Sequence, residues 1–222
     1  VRTVWDLKRT ATREVVAGDF VLAIRRLADP RVDCPLYGTF AKNLLGMDGY
    51  RQTLVDRLER QRRARLAAGG PLYNGERDER SHPIAVDYAE GAERFPFVRQ
   101  LDRHSFEVVL REPYPQILYW MAMSFFAPVP PEALAFFDQP GLLERSIVFD
   151  RNPLGTGPYV LREFDPTNQI VLERNPKFRL ERYPGLPLPA DDDASGRANY
   201  EAMKAAGMLQ DAGRALPMVD RI

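Results

Sequence analysis

At 222 residues the chain is long enough to bury a full core, and length alone predicts one or two domains. Its 45% apolar and 28% charged residues are those of a soluble globular protein and exclude disorder throughout. The 31 basic and 31 acidic residues leave a net charge of zero, so no bulk field draws in nucleic acid or an anionic membrane, and only local patches remain.

The single cysteine, Cys34, can form no internal disulfide, offers no metal-ligand set and places the chain in no particular redox compartment. There is no run of about 18 apolar residues and no charged-then-apolar leader. Because the first residue is Val1 rather than Met, the chain reads as an excised piece whose natural beginning, with any signal sequence, lies upstream.

In chain order, the first element begins at Asp19, whose carboxylate suits an N-cap. Phe20, Ile24 and Leu27 recur at helical spacing until Asp29-Pro30 stops the run. Residues 36–69 read as helix in two pieces, broken near Gly46-Met47-Asp48-Gly49. In the second piece Leu54, Leu58 and Leu66 form the apolar stripe, and Arg51, Arg57, Arg60, Arg62, Arg63 and Arg65 form a basic flank. That flank is either a contact for an anionic partner or a solvated helix face, and the interspersed Asp56 and Glu59 favour the solvated face.

Gly69-Gly70-Pro71 ends the helix, and residues 72–94 read as a long loop or insertion. Two strands follow, Phe95 to Leu101 and Ser105 to Arg111, joined at Asp102-Arg103-His104, with Phe106, Val108 and Leu110 on one face of the second. Gln116 to Met123 reads as a short apolar helix. Pro131 and Glu132 suit the first turn of another, running through Phe137.

The most informative stretch is Asn152 to Pro176. In Gly155-Thr156-Gly157-Pro158-Tyr159 two glycines can take positive φ before Pro158 enforces an extended exit. Tyr159, Leu161 and Glu163 are expected on one strand face and Val160, Arg162 and Phe164 on the other. A turn at Asp165-Pro166-Thr167-Asn168 then sends Ile170 to Arg174 back antiparallel, ending at Asn175-Pro176. Lys177 to Gly185 reads as irregular, Leu186 to Ala190 as loop, and a helix is predicted from about Arg197 to Met208.

Gly155-Thr156-Gly157-Pro158-Tyr159, followed at hairpin spacing by Glu173-Arg174-Asn175-Pro176, resembles the signature of the family 5 extracellular solute-binding proteins, the peptide and oligopeptide receptors of ABC importers. Val16-Ala17-Gly18-Asp19-Phe20-Val21, Arg25-Arg26-Leu27-Ala28-Asp29-Pro30 and Phe126-Ala127-Pro128-Val129-Pro130 resemble further segments of that family, with Ser105 where a threonine is usual. Val219-Asp220-Arg221-Ile222 resembles the lead-in to a further strand.

The remaining chemistry-bearing residues resist sharper readings. His82 and His104 have no metal-spaced partners and no nucleophile elbow beside them, so the bland reading of His104 is an exposed turn residue. Asp191-Asp192-Asp193 lacks the glycine and glutamate of a calcium loop and reads as solvated loop. Gly155 and Gly157 cannot form a phosphate loop, because Pro158-Tyr159 enters a strand rather than a helix. Tyr114, Tyr119, Trp120, Phe125 and Phe126 either line a cleft or, as their helical spacing favours, fill a core.

The residues predict an α+β architecture of antiparallel strands with flanking helices. The resemblance implies a fragment of a two-lobed periplasmic binding protein of type II-like design, in which residues 1–150 are the smaller domain and residues 151–222 return into the main lobe. It implies a non-enzymatic solute-binding component, periplasmic or extracellular, with a lipid anchor left open. Its partners would be a small solute such as a peptide and a membrane permease, with no cofactor and no nucleic acid. The family cleft forms largely between lobes, so no residue here is assigned to ligand contact. Gly155, Thr156, Gly157, Pro158, Tyr159, Arg174, Asn175 and Pro176 stand as structural signature residues. Two alternatives stay open: a non-standard hydrolase using His104 or Cys34, and an interaction domain using the arginine-rich helix. The segment after Asn175, roughly residues 177–195, is expected to be mobile if its partner strands are missing.

Overall fold

The computed structural model describes residues 13–222. It is α+β and divides into two compact units, one ending at Phe149 and one spanning Asp150–Ile222. Among the described residues no helix is long and apolar enough to cross a membrane.

The first unit is built on α1 (Ala17–Arg26). Val21 and Ile24 are buried, with Leu27 and Ala28 just beyond the helix end, and Phe20 stacks at its flank on Phe106, the ring centroids 5.4 Å apart. Asp19 is not the N-cap that its position suggests. It is the third residue of the helix, and its carboxylate reaches back to accept the Val16 N–H at 3.0 Å. That satisfies one orphan donor from inside the first turn, where an acidic group also meets the positive end of the helix dipole.

Helix α2 (Tyr37–Asn43) and helix α3 (Met47–Gly69) are separated where expected, and Gly46 takes a φ of +88° that a side chain rarely adopts. Met47, Tyr50, Leu54 and Leu58 are buried, but Leu66 is 59% exposed. The stripe therefore ends at Leu58, and the rest of α3 runs beyond the core. Residues 72–94 are not a plain loop, because α4 (Gly75–Ser81) forms there, capped by the Asn74 side chain accepting the Arg77 N–H at 2.9 Å.

Strands β1 (Val98–Gln100) and β2 (Phe106–Val108) pair antiparallel, Val98 opposite Val108. They are shorter than the periodicity predicts. Pro96 offers no donor at one end, and Leu110 at the other leaves the ladder to bridge Leu44. Helix α5 (Ile117–Met121) is likewise shorter than expected, while α6 (Pro131–Phe137) begins with Pro131 in its first turn as predicted. The core collects Ile24, Phe40, Leu44, Met47, Tyr50, Phe97 and Val98.

In the second unit, β3 (Tyr159–Asp165) and β4 (Gln169–Arg174) form the predicted hairpin with a bulge between Leu161 and Glu163. One extra residue reverses the alternation beyond it. Opposed residues share a face, so Tyr159, Leu161 and Phe164 lie with Ile170 and Leu172, while Val160 and Glu163 lie with Val171 and Glu173. The predicted placement of Glu163 and Phe164 is thus overturned, and Val171 is the buried residue of the ribbon.

The chain's last residues add a further line of pairing. Leu172 and Ile222 exchange backbone hydrogen bonds of 2.8 and 2.9 Å, and the Arg174 N–H donates to the Asp220 carbonyl at 2.9 Å. Residues 177–195 are not uniformly loose either. The Tyr183 N–H donates to Arg214 at 2.8 Å and the Leu216 N–H to Glu181 at 2.9 Å, around an antiparallel bridge between Arg182 and Ala215. Helix α7 (Ala194–Ala205) starts three residues before the predicted Arg197, because Asp193 caps it by accepting the Gly196 N–H at 2.8 Å.

Candidate functional site

The two halves of the hairpin signature meet through Asn175. Its backbone N–H donates to the Pro158 carbonyl at 2.8 Å, its Nδ2 donates to the Gly157 carbonyl at 2.9 Å, and its Oδ1 accepts the Lys177 N–H at 3.0 Å. One short amide side chain thus closes the open end of the hairpin from both sides. Pro176 has no N–H to extend the ladder. Asparagine suits the position because its short neutral amide carries the donor and the acceptor on two separate atoms, which can face opposite partners.

Tyr159 and Arg174, opposite each other at the same end, both reach the closing segment. The Tyr159 hydroxyl donates to the Val219 carbonyl at 3.0 Å, and the Arg174 guanidinium pairs with Asp220 at 2.8 Å. Gly155 and Gly157 do not take positive φ, contrary to expectation. Pro158 restricts Gly157 to extended backbone, and that extended course presents the Gly157 carbonyl to Asn175.

Thr156, Gly157 and Pro158 line an open depression of about 360 Å³, completed by Phe178, Arg179, Glu181, Leu216 and Pro217. Three rings, from Pro158, Phe178 and Pro217, give it apolar walls. Arg179 and Glu181 at its rim pair with each other at 2.7 Å. No histidine or cysteine stands in this lining, and Thr156 brings its only hydroxyl. The residues after Asn175 escaped sequence reasoning because they carry no period or motif.

The segment ending in Asp29-Pro30 turns out to hold a buried charge. Asp29 is fully buried, its carboxylate paired with Arg31 at 2.8 Å and accepting the Tyr88 hydroxyl at 2.6 Å. Arg31 also donates to the Ile84 carbonyl at 2.6 Å, and the Tyr50 hydroxyl donates to the Tyr88 carbonyl at 2.8 Å. Burial pushes the Asp29 carboxyl up, but the hydrogen-bonded guanidinium of Arg31, helped by Tyr88, outweighs it and holds the group below the usual carboxylate range. Burial beside Asp29 pushes the Tyr88 phenol up, keeping it a donor. This is a pin for the chain between α1 and the segment at 84–88.

A second ion cluster ties the start of α1 to α6. Arg13 donates to both oxygens of Asp19, at 2.8 and 2.6 Å, and to both oxygens of Glu132, at 2.9 Å each. Its hydrogen bonds hold both carboxyls low.

The candidate catalytic residues do not assemble. His104 is exposed and meets Glu14 at 3.1 Å on open surface, where Arg103 also pairs with Glu14 and is the first cause of its lowered pKa. Cys34 packs half-buried against the core. His82 lies 3.8 Å from Asp78. Among the described residues no group of three or more His, Cys, Asp or Glu is placed to hold a metal ion. In the aspartate run, Asp193 caps α7 and Asp191 pairs with Arg197.

The aromatic cluster divides. Trp120, Phe125 and Phe126 surround Phe40 at centroid distances of 6.2, 5.7 and 5.0 Å, and Trp120 Nε1 donates to the Tyr114 hydroxyl at 2.9 Å. Tyr119, by contrast, is 78% exposed. The basic flank of α3 is largely occupied within the chain: Arg57 donates to the Asp87 and Glu90 carbonyls, Arg62 pairs with Glu79 and Arg65 with Asp78.

Comparison with known proteins gives these segments a common origin. The chain is 35% identical over 81 residues to the periplasmic oligopeptide-binding protein OppA of Salmonella typhimurium, covering 36% of this chain and 14% of that protein. It is 30% identical over 110 residues to the probable ABC transporter periplasmic-binding protein SapA of Escherichia coli, covering 50% of this chain and 19% of that one. The matched stretches thus span less than a fifth of either relative's length. No solved structure matches. The model of the bacterial extracellular solute-binding proteins, family 5, middle region, matches residues 12–214, which take in α1, the hairpin, its Asn175 clamp and α7; the chain belongs to that family.

Proposed function

We propose that this chain is part of the solute-binding component of an ABC import system, capturing peptides or a similar small solute outside the cytoplasmic membrane and delivering it to a membrane permease. The observation that carries this reading is family membership across residues 12–214, in a chain whose signature halves are joined by Asn175. The names of the two relatives, one an oligopeptide-binding protein and both periplasmic, support the solute class and the compartment.

On this reading the unit ending at Phe149 corresponds to the smaller domain of a two-lobed receptor, and Asp150–Ile222 to the return into the main lobe. Binding would then work by population shift: a solute that touches both lobes favours the closed form, and the permease reads the closed form. Neither a nucleophile with its base nor a metal cluster is needed for such work. The clamp, the Asp29 pin and the Arg13 cluster are devices that hold backbone in place, as a rigid-body closure requires.

The test is a thermal-shift screen of the protein as its gene encodes it, against panels of peptides and of oligosaccharides. A rise in Tm with peptides and none with oligosaccharides is expected, of a size set by the ratio of ligand concentration to Kd. A folded protein that shifts with neither panel would remove the transport assignment.

A further inference from the structure

The far half of α3 does something the solute-binding reading does not use. Burial on this helix ends at Leu58, yet the helix continues to Gly69, about 16 Å farther at the α-helical rise. Helix α4 folds back along it, so residues 59–81 form a two-helix arm. The arm is well tied: Arg62 pairs with Glu79 at 2.6 Å, Arg65 with Asp78 at 2.7 Å, and Tyr73 donates its hydroxyl to Asp78 at 2.8 Å. The turn at its end is equally specific. Gly70 has a φ of +71°, and the Tyr73 ring lies so close over Gly69 that a Cβ there would clash at 2.2 Å.

What this rigid arm presents is a bare apolar tip. Residues 66–72 read Leu-Ala-Ala-Gly-Gly-Pro-Leu, all exposed and without one polar side chain; Leu72 is 97% exposed and Leu66 59%. Behind the tip stand six arginines against four carboxylates within residues 59–81. Two of those carboxylates, Asp78 and Glu79, are taken up by Arg65 and Arg62 inside the arm. Arg63 and Arg80 keep only exposed i,i+4 partners, which hold weakly. An uncharged apolar point backed by a basic collar matches the interfacial region of a membrane, where apolar side chains enter below the headgroups and guanidinium groups meet phosphates. The surplus of arginines behind the tip is what favours an anionic lipid surface over a protein partner.

We propose that the tip at residues 66–72 seats on an anionic phospholipid surface, with Leu66 and Leu72 entering the interface and Arg60, Arg63, Arg77 and Arg80 contacting headgroup phosphates. Solute capture is not assumed, so the test stands apart from the preceding one.

Flotation of the protein as its gene encodes it, with equimolar phosphatidylglycerol–phosphatidylcholine vesicles and separately with pure phosphatidylcholine vesicles, tests it. Binding is expected to the anionic vesicles only, and about 0.5 M salt should release it. Leu72→Asp should lower the bound fraction about tenfold. Arg60→Glu with Arg77→Glu should lower it at least about tenfold. Circular dichroism should report native folding of both variants, and Tyr119→Asp, at an exposed aromatic off the arm, should bind as the parent does. A dye attached through Leu72→Cys in a Cys34→Ala background should shift its emission to the blue on anionic vesicles. Equal binding to both vesicle types, no binding at millimolar lipid, or a Leu72→Asp variant that binds normally would each overturn the proposal, the second pointing to a protein as the occupant.

Discussion

Asn175 shows how much of a hairpin can rest on one side chain. Its amide spans the Gly157 carbonyl and the Lys177 N–H while its backbone completes the last rung with Pro158. Asn175→Ala removes the side-chain donor and acceptor together and should cost about 1–2 kcal/mol, read from urea unfolding. Asn175→Asp keeps the acceptor but sets a carboxylate against a carbonyl, and should be no better than alanine. Asp29 is the other decisive residue. Its carboxyl is held below its ordinary value by Arg31, so it contributes stability that is fully present above the unfolded carboxylate pKa of about 3.9 and is lost as pH falls through the lower folded value. Asp29→Asn, which strands Arg31, should destabilise by about 3 kcal/mol at pH 7, and the gap between parent and variant should narrow below about pH 4. A gap constant across that range would show that the pair's charge is not what matters.

At the scale of elements, backbone pairing departs most from expectation in the second unit. Sequence reasoning placed a mobile stretch at 177–195, since nothing there is periodic. Yet Tyr183 and Leu216 donate to Arg214 and Glu181 across a long separation, and Leu172 and Ile222 exchange two bonds. Amide hydrogen exchange should therefore show protection at Leu172, Tyr183, Leu216 and Ile222 and rapid exchange across 186–190. Uniformly fast exchange would restore the original expectation. Other elements were legible because local chemistry suffices for them. Pro131 and Glu132 start α6, Gly46 separates α2 from α3, and the Asp165–Gln169 turn closes β3 on β4. Boundaries slipped where a side chain two or three residues away takes over a cap, as Asp193 does for α7 and Asp19 for α1. The β3 bulge at Arg162 has no such local cue, and it moved Glu163 and Phe164 to the opposite faces from those that alternation assigns.

Over the whole molecule, the sequence by itself determined the class, the family and the order of the helices and strands other than α4, because these depend on composition, short-range periodicity and motifs that are contiguous in the chain. The tertiary structure alone decided which charges are buried and which arginines are spoken for. Asp29 looks like a helix stop until Tyr88, 59 residues away, closes over it. Trp120 and Tyr119 are neighbours of similar character, one against Phe40 and one in solvent. Leu66 continues the spacing of Leu54 and Leu58, but the core has ended before it. In each case the deciding quantity is the free energy of removing a group from water. That depends on what the rest of the chain brings alongside, and no window of sequence contains it.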